Sequence, residues 1–114
     1  MEDYLSDPTR ASGFEWDAGN ETKNWIKHSV SQAECEQVFL NAPLVVAGDE
    51  THSDREARFF ALGRTDEDRK LLVVFTVRGD LIRVISARPM SRREREVYRR
   101  AEDDQEGDAE ETGA

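Results

Sequence analysis

KLLVVFTV (70–77), RGD (78–80) and LIRVISA (81–87) read together as a β-hairpin. The first run is rich in β-branched and aromatic residues, which suit a pleated, half-buried surface. Gly79 tolerates the positive φ that a tight reversal demands. The second run returns at similar length, and Pro89, which has no N–H to give to a ladder, stops it. A lone hairpin is marginal in water and needs further strands or a helix to bury a face, and the flanking sequence supplies both.

Upstream, 56–62 reads as a strand closed by Gly63, 44–47 as a shorter one, and 64–69 as a charged turn. Phe14-Glu15-Trp16 alternates like a short edge strand, and Asp17 is placed to cap a helix ending near His28. Ser31 followed by Glu34 has capping-box spacing and opens a second helix, ended by Asn41-Ala42-Pro43. Ser91 with Glu94 repeats the box and opens a last helix through about Ala101. Helices segregated from the strand run indicate an α+β fold rather than a doubly wound sheet. The expected order is a short strand, two N-terminal helices, a small antiparallel sheet and a C-terminal helix.

The formal charge of −9 is unevenly placed. Residues 1–13 carry a net −2, residues 101–114 carry seven acids and no base, and residues 14–100 balance at 15 of each. The expected division is an unstructured lead over 1–13, a folded domain over 14–101 and an acidic, unstructured tail over 102–114. An acidic chain would ordinarily repel nucleic acid, but charge in the ends is not charge at a site. Residues 78–100 hold eight arginines against three acids.

Cys35 is the only cysteine, which excludes an intrachain disulfide and a multi-Cys zinc site; inside an apolar helix it reads as core filler. His28 and His52 stand in no metal-binding spacing, and GxGxxG, GxxxxGK[ST] and GxSxG motifs are missing, so neither metal nor cofactor is expected. The opening MEDYLSDPTR lacks the layout of a secretory signal, and no apolar run is long enough to span a bilayer. A cytoplasmic protein without membrane contact is expected.

Strand alternation puts Arg83 with Leu81 and Ile85 on one face, and Ile82, Val84 and Ser86 on the other. A central arginine on an open sheet face can hold a phosphate bidentately or pair with a cross-strand acid. Arg58, of one parity with Phe60 and Leu62, can share that face and complete an anion site. Glu56 reads as the ion-pair partner of Arg58 in preference to a base. Arg88 precedes a helix N-terminus, where backbone N–H groups also favour anions. Lys27 and His28 close the first expected helix, either as proton-transfer groups or as complements to its dipole. Arg92, Arg95 and Arg99 share roughly one helix face and suit RNA, an acidic partner or mere solubility. Trp16 and Trp25 read as core anchors, although they can also stack bases.

The order FEWD (14–17), Asn24-x-x-Lys27-His28, His52-Ser53, Glu56-x-Arg58, Leu62-Gly63, RGD (78–80), ISAR (85–88), Arg92-Arg93-Glu94-Arg95 and Tyr98 resembles the BrnT toxins of type II toxin-antitoxin systems, from Phe14 to about Arg100. The resemblance implies a RelE-like fold and a ribonuclease that cleaves RNA and halts translation. It implies neutralisation by a BrnA-like antitoxin in a 2:2 complex that meets operator DNA only through the antitoxin. Carried onto this chain, Lys27, His28, Arg58 and Arg83 take the catalytic positions, and Arg88, Arg92 and Arg95 hold RNA phosphates. The chemistry implied is metal-independent attack of a ribose 2′-OH on the adjacent phosphate. Three positions depart from the pattern: Asn20 where lysine is frequent, Ser29 where glycine usually follows the Lys-His pair, and Leu81 where a base is frequent. The competing reading is a non-catalytic protein-binding or RNA-binding module of a regulatory complex.

Overall fold

The computed structural model describes residues 11–20, 27–49 and 56–113, of which 106–113 are described by backbone alone. β4 (Lys70–Arg78) and β5 (Leu81–Pro89) form the expected hairpin, with Gly79 at φ 62° in its turn. β3 (Arg58–Arg64) pairs antiparallel with β4, and β2 (Val45–Asp49) pairs antiparallel with β3. β1 (Gly13–Phe14) lies parallel to β5 at the opposite edge, which gives the order β1-β5-β4-β3-β2. Two helices complete the described elements: α1 (Gln32–Leu40), between β1 and β2, and α2 (Arg92–Gly113) at the C-terminal end.

This corrects the expected architecture. The sheet is mixed and five-stranded, with one central and one C-terminal helix, instead of an antiparallel sheet behind two N-terminal helices. β1 joins β5 running the same way, fixed by Ser12 N donating to Asp80 O at 2.7 Å and Glu15 N to Ile82 O at 2.8 Å. Asp17 caps no helix. Its carboxylate accepts from Gly19 N and its own N–H donates to the Asn20 side chain, both at 2.8 Å, so residues 17–20 close a local turn. Residues 27–28 are helical. The rest of the expected first helix, with Trp25, lies outside the described residues, as do residues 1–10 and His52. α2 runs on to Gly113, past the expected end near Ala101 and through the segment expected to be unstructured. Glutamate, alanine and glutamine are good helix formers, so an acidic composition does not by itself stop a helix.

Both capping boxes form. Glu34 N donates to the Ser31 hydroxyl and Ser31 N to the Glu34 carboxylate; Ser91 and Glu94 repeat the exchange at the head of α2. α1 packs on one sheet face, where Val30, Cys35 and Val38 meet Ala61, Leu71, Val73, Phe75, Ile82, Val84 and Ala87. Burying a Val, Leu or Phe side chain contributes about 1.5–3 kcal/mol. An exposed ion pair contributes about 0–1 kcal/mol, so this layer dominates stability. α1 approaches β3 closely at Gly63, where an added Cβ would stand 2.6 Å from Val38 Cγ1. Cys35 is buried in this layer, and burial pushes its thiol up to about 12, which keeps it inert.

The start of α2 covers one end of the other sheet face. Tyr98 and Met90 pack on Leu62 and Leu72, and the Tyr98 hydroxyl donates to Pro43 O at 2.7 Å. The remainder of that face carries the candidate site.

Candidate functional site

Arg58, Thr76 and Arg83 lie side by side across β3, β4 and β5 as successive register partners. Side chains opposite one another in a ladder share a face, so Arg58 and Arg83 do stand on the same face, with buried Thr76 between them. The Thr76 hydroxyl is turned to Ala57 O at 2.7 Å. One step outward, Asp49 of β2 stands opposite Arg58. Face assignment changes further along β5. Phe75 pairs with Val84 but Val74 with Ser86, leaving Ile85 as the extra residue of a bulge. Ser86 thereby joins the Arg83 face instead of the Ile82 and Val84 face expected from alternation.

Arg83 is held by acids. Its Nη1 reaches Asp17 Oδ2 at 2.7 Å and Glu15 Oε1 at 3.2 Å, and its Nη2 reaches Asp17 Oδ1 at 3.1 Å. The guanidinium hydrogen bond, then the Gly19 N–H, holds the Asp17 carboxyl below its ordinary 3.8. Arg78 extends the network, 3.6 Å from Glu15 and 3.1 Å from Glu56. Glu56 thus pairs with Arg78, whose hydrogen bond lowers its carboxyl, and the expected partner Arg58 adds its charge to the same effect. Sequence reasoning missed Glu15 and Asp17 as partners of Arg83. Their spacing of two in a strand-like stretch was the available signal.

Arg88 is engaged elsewhere. It grips both Glu94 oxygens at 2.8 and 2.9 Å and Pro89 O at 3.1 Å, locking the capping box of α2. The Arg88 hydrogen bond, reinforced by Ser91 N–H, keeps Glu94 ionised below its usual range. Arg92 and Arg95 are exposed on α2 and line a groove with Met90, Glu96 and Arg99. These three arginines make no ion pair among the described residues.

Lys27 and His28 stand apart from Arg58 and Arg83. The His28 and Ser29 carbonyls accept from Arg69 at 3.2 and 2.8 Å. Arg69 also bonds Glu34 and lies in the β3–β4 turn, seven residues and roughly 20 Å along the strand from Thr76. Lys27 is exposed and His28 half-buried.

Two of the three departures acquire a structural account. Asn20 is buried, and its amide donates to Val84 O and Glu15 O at 3.0 and 3.1 Å, pinning the 15–20 segment to β5. Ser29 takes φ 55°, a left-handed conformation that glycine adopts without strain. Leu81, at the start of β5, stands opposite Arg78.

Among the described residues no cluster of three or more His, Cys, Asp or Glu is arranged for a metal ion, and no helix is long and apolar enough to cross a membrane. A search of curated proteins gives no match. The family model described as the ribonuclease toxin BrnT of type II toxin-antitoxin systems matches residues 16–94, from the tryptophan after β1 to the first turn of α2. That span contains the whole arginine–carboxylate network except Glu15 and covers most of the chain, which therefore belongs to the BrnT family of ribonuclease toxins, made to work opposite an antitoxin partner.

Proposed function

We propose that the chain cleaves RNA at the Arg58–Thr76–Arg83 row without a metal ion, and so stops translation in the cytoplasm. The observation that carries this reading is the placing of two guanidinium groups on one open sheet face within a network that offers both charges. A phosphate reaches Arg83 by displacing Asp17, whose carboxylate is 52% exposed while Arg83 itself is 16% exposed. The ribose 2′-oxygen attacks the adjacent phosphorus and its proton passes to Glu15, whose carboxylate lies 3.2 Å from Arg83 Nη1. The bond to the 5′-oxygen breaks, that oxygen takes a proton from water, and a 2′,3′-cyclic phosphate remains. Arg58 and Arg83 hold the charge that grows on the phosphoryl oxygens. Glu56 is not assigned this role, since its hydrogen bond to Arg78 holds its proton affinity down.

Lys27 and His28 are left out of the proton transfer proposed for this row, since Arg69, in the β3–β4 turn, holds the His28 carbonyl. Arg92 and Arg95 contact RNA phosphates outside the reacting nucleotides, and Arg88 positions the helix that carries them. A BrnA-like antitoxin in a 2:2 complex, which reaches operator DNA on the toxin's behalf, is the regulatory half of the proposal and rests on the family match. The second reading, a binding module without catalysis, draws on Arg83 having both terminal nitrogens already engaged by carboxylates.

End-labelled RNA in chelator, beside matched DNA, decides between them. RNA alone should be cut. Arg58→Ala should lower the rate by about 10²–10³, the loss typical of removing one donor to a developing anion. Arg83→Lys, which keeps the charge needed by Asp17 and Glu15, should also be slow. Uncut RNA with folded, antitoxin-free protein would establish the binding module.

A further inference from the structure

Of the five phenylalanines, four form a continuous aromatic series on the helix-covered face: Phe14 on Phe39, Phe39 on Phe75, and Phe59 stacked on Phe75 at 5.4 Å. Phe60 is the exception. Its register partners are Val74 and Ala47, on the open face, and it has no ring neighbour among the described residues. Ala47 is exposed and too small to cover the ring from the β2 side. Phe60 thus lines a groove of about 350 Å³, with Val45, Ala47, Leu62 and Leu72 as floor and Val97 of α2 as opposite wall. Val97 is 45% exposed, one of two large apolar side chains so uncovered among the described residues. At the rim stand Arg88 and Glu94, paired with each other at 2.8 and 2.9 Å.

Phe60 follows Arg58 by two residues on the same face, so it stands about 7 Å along the strand from the Arg58–Arg83 row. The opposite wall is the side of α2 that carries Glu94 and Val97, whereas Arg92 and Arg95 line a separate groove on that helix. An apolar slot beside the Arg58–Arg83 row, with Arg88 at its rim, suits a polyanion with flat apolar groups better than an ordinary apolar peptide, and its volume suits one ring system and not a helix.

We propose that this groove is a base-binding subsite, in which Phe60 stacks one nucleobase of the RNA whose phosphate lies on Arg58 and Arg83. The base slides between the Phe60 ring and Val97, and its edge meets Arg88 and Glu94. Base–aromatic stacking tolerates every base, so any preference comes from the rim. This inference rests on the proposed RNA cleavage, and its test separates the two.

A non-cleavable RNA oligonucleotide, 2′-O-methylated throughout, is titrated onto the full chain, with a single abasic residue walked along it. For the wild type, one abasic position should weaken binding by on the order of tenfold. Phe60→Leu keeps an apolar floor without the π face. It should weaken binding of the intact oligonucleotide by a similar factor and show no further loss at the abasic position. A 2-aminopurine at that position should be quenched by the wild type and not by Phe60→Leu. A flat abasic scan, with cleavage of ordinary RNA intact, overturns the subsite and leaves the ribonuclease standing. A flat scan in which Phe60→Leu instead loses antitoxin affinity assigns the groove to the protein partner and overturns it equally. Failure to bind or cut any RNA overturns both proposals.

Discussion

Asp17 and Arg83, 66 residues apart in sequence, meet in a two-point ion pair at 2.7 and 3.1 Å. The pair joins the segment after β1 to the middle of β5, and Glu15 shares the same guanidinium. Two roles therefore meet in one side chain under the proposed reaction: Arg83 holds the N-terminal strand to the sheet edge and would also hold the phosphate. Replacing it by alanine would disturb fold and chemistry together, which makes Arg58→Ala the cleaner probe of the chemistry.

Acid should loosen this junction. The Asp17 carboxyl titrates below 3.8 in the folded chain, because Arg83 and the Gly19 N–H favour its charged form. Its contribution to stability is complete above that value and is lost as pH falls through the lowered folded-state value. Urea midpoints measured at neutral pH and below 3.8 should fall less for Asp17→Asn than for the wild type. Glu34 and Glu94, also lowered, supply the acid loss common to both proteins. Equal falls would remove the ion pair as a source of acid sensitivity.

Gly63→Ala should destabilise the chain by about 1–3 kcal/mol, the usual cost of overpacking. The new methyl group would stand 2.6 Å from Val38 Cγ1 and 3.0 Å from Val38 O, and the second contact is backbone, which a rotamer change does not relieve. Chemical denaturation reads the effect directly.

Ser29→Gly should stabilise. Relief of a left-handed serine is worth roughly 1–2 kcal/mol, and the added freedom of the unfolded chain takes back about 0.4–1 kcal/mol. A net gain of about 0.5–1 kcal/mol remains, visible as a higher melting temperature. No gain would mean that the Arg69 bonds to the His28 and Ser29 carbonyls already absorb the strain.

The α2 arginines should show themselves through salt. Replacing Arg92 and Arg95 together by alanine should weaken RNA binding whatever the sequence. It should also flatten the dependence of log affinity on log salt by about 0.7 per lost phosphate contact. An unchanged slope would reduce both residues to solubilising charge.

The hairpin, the neighbouring strand and both capping boxes were legible because their signals are local: β-branched runs, a turn glycine, and a serine three residues before a glutamate. Parity alone also put Arg58 and Arg83 on one face. The parallel pairing of β1 was not legible, since two residues carry no pattern that names a partner nearly seventy positions away. Nor was the bulge at Ile85, which reverses Ser86 without any glycine to announce it. Glu56 was read against Arg58 because they are near in sequence, whereas the fold offers it Arg78 across the strand end. Lys27 and His28 were grouped with the arginines through the family resemblance, and only the tertiary bonds of Arg69 show that the His28–Ser29 backbone joins the β3–β4 turn.

The partnership of β1 with β5 also has a consequence for synthesis. Gly13 and Phe14 leave the ribosome early, but their partners Leu81 and Ile82, and then Arg83, are made only when most of the 114 residues exist. Contacts this distant in sequence form late and slowly. A nascent or prematurely ended chain lacking β5 has neither Arg83 nor the edge on which Glu15 and Asp17 settle. Under the proposed reaction, the phosphate-binding row therefore exists only once β5 has been made and has paired with β1.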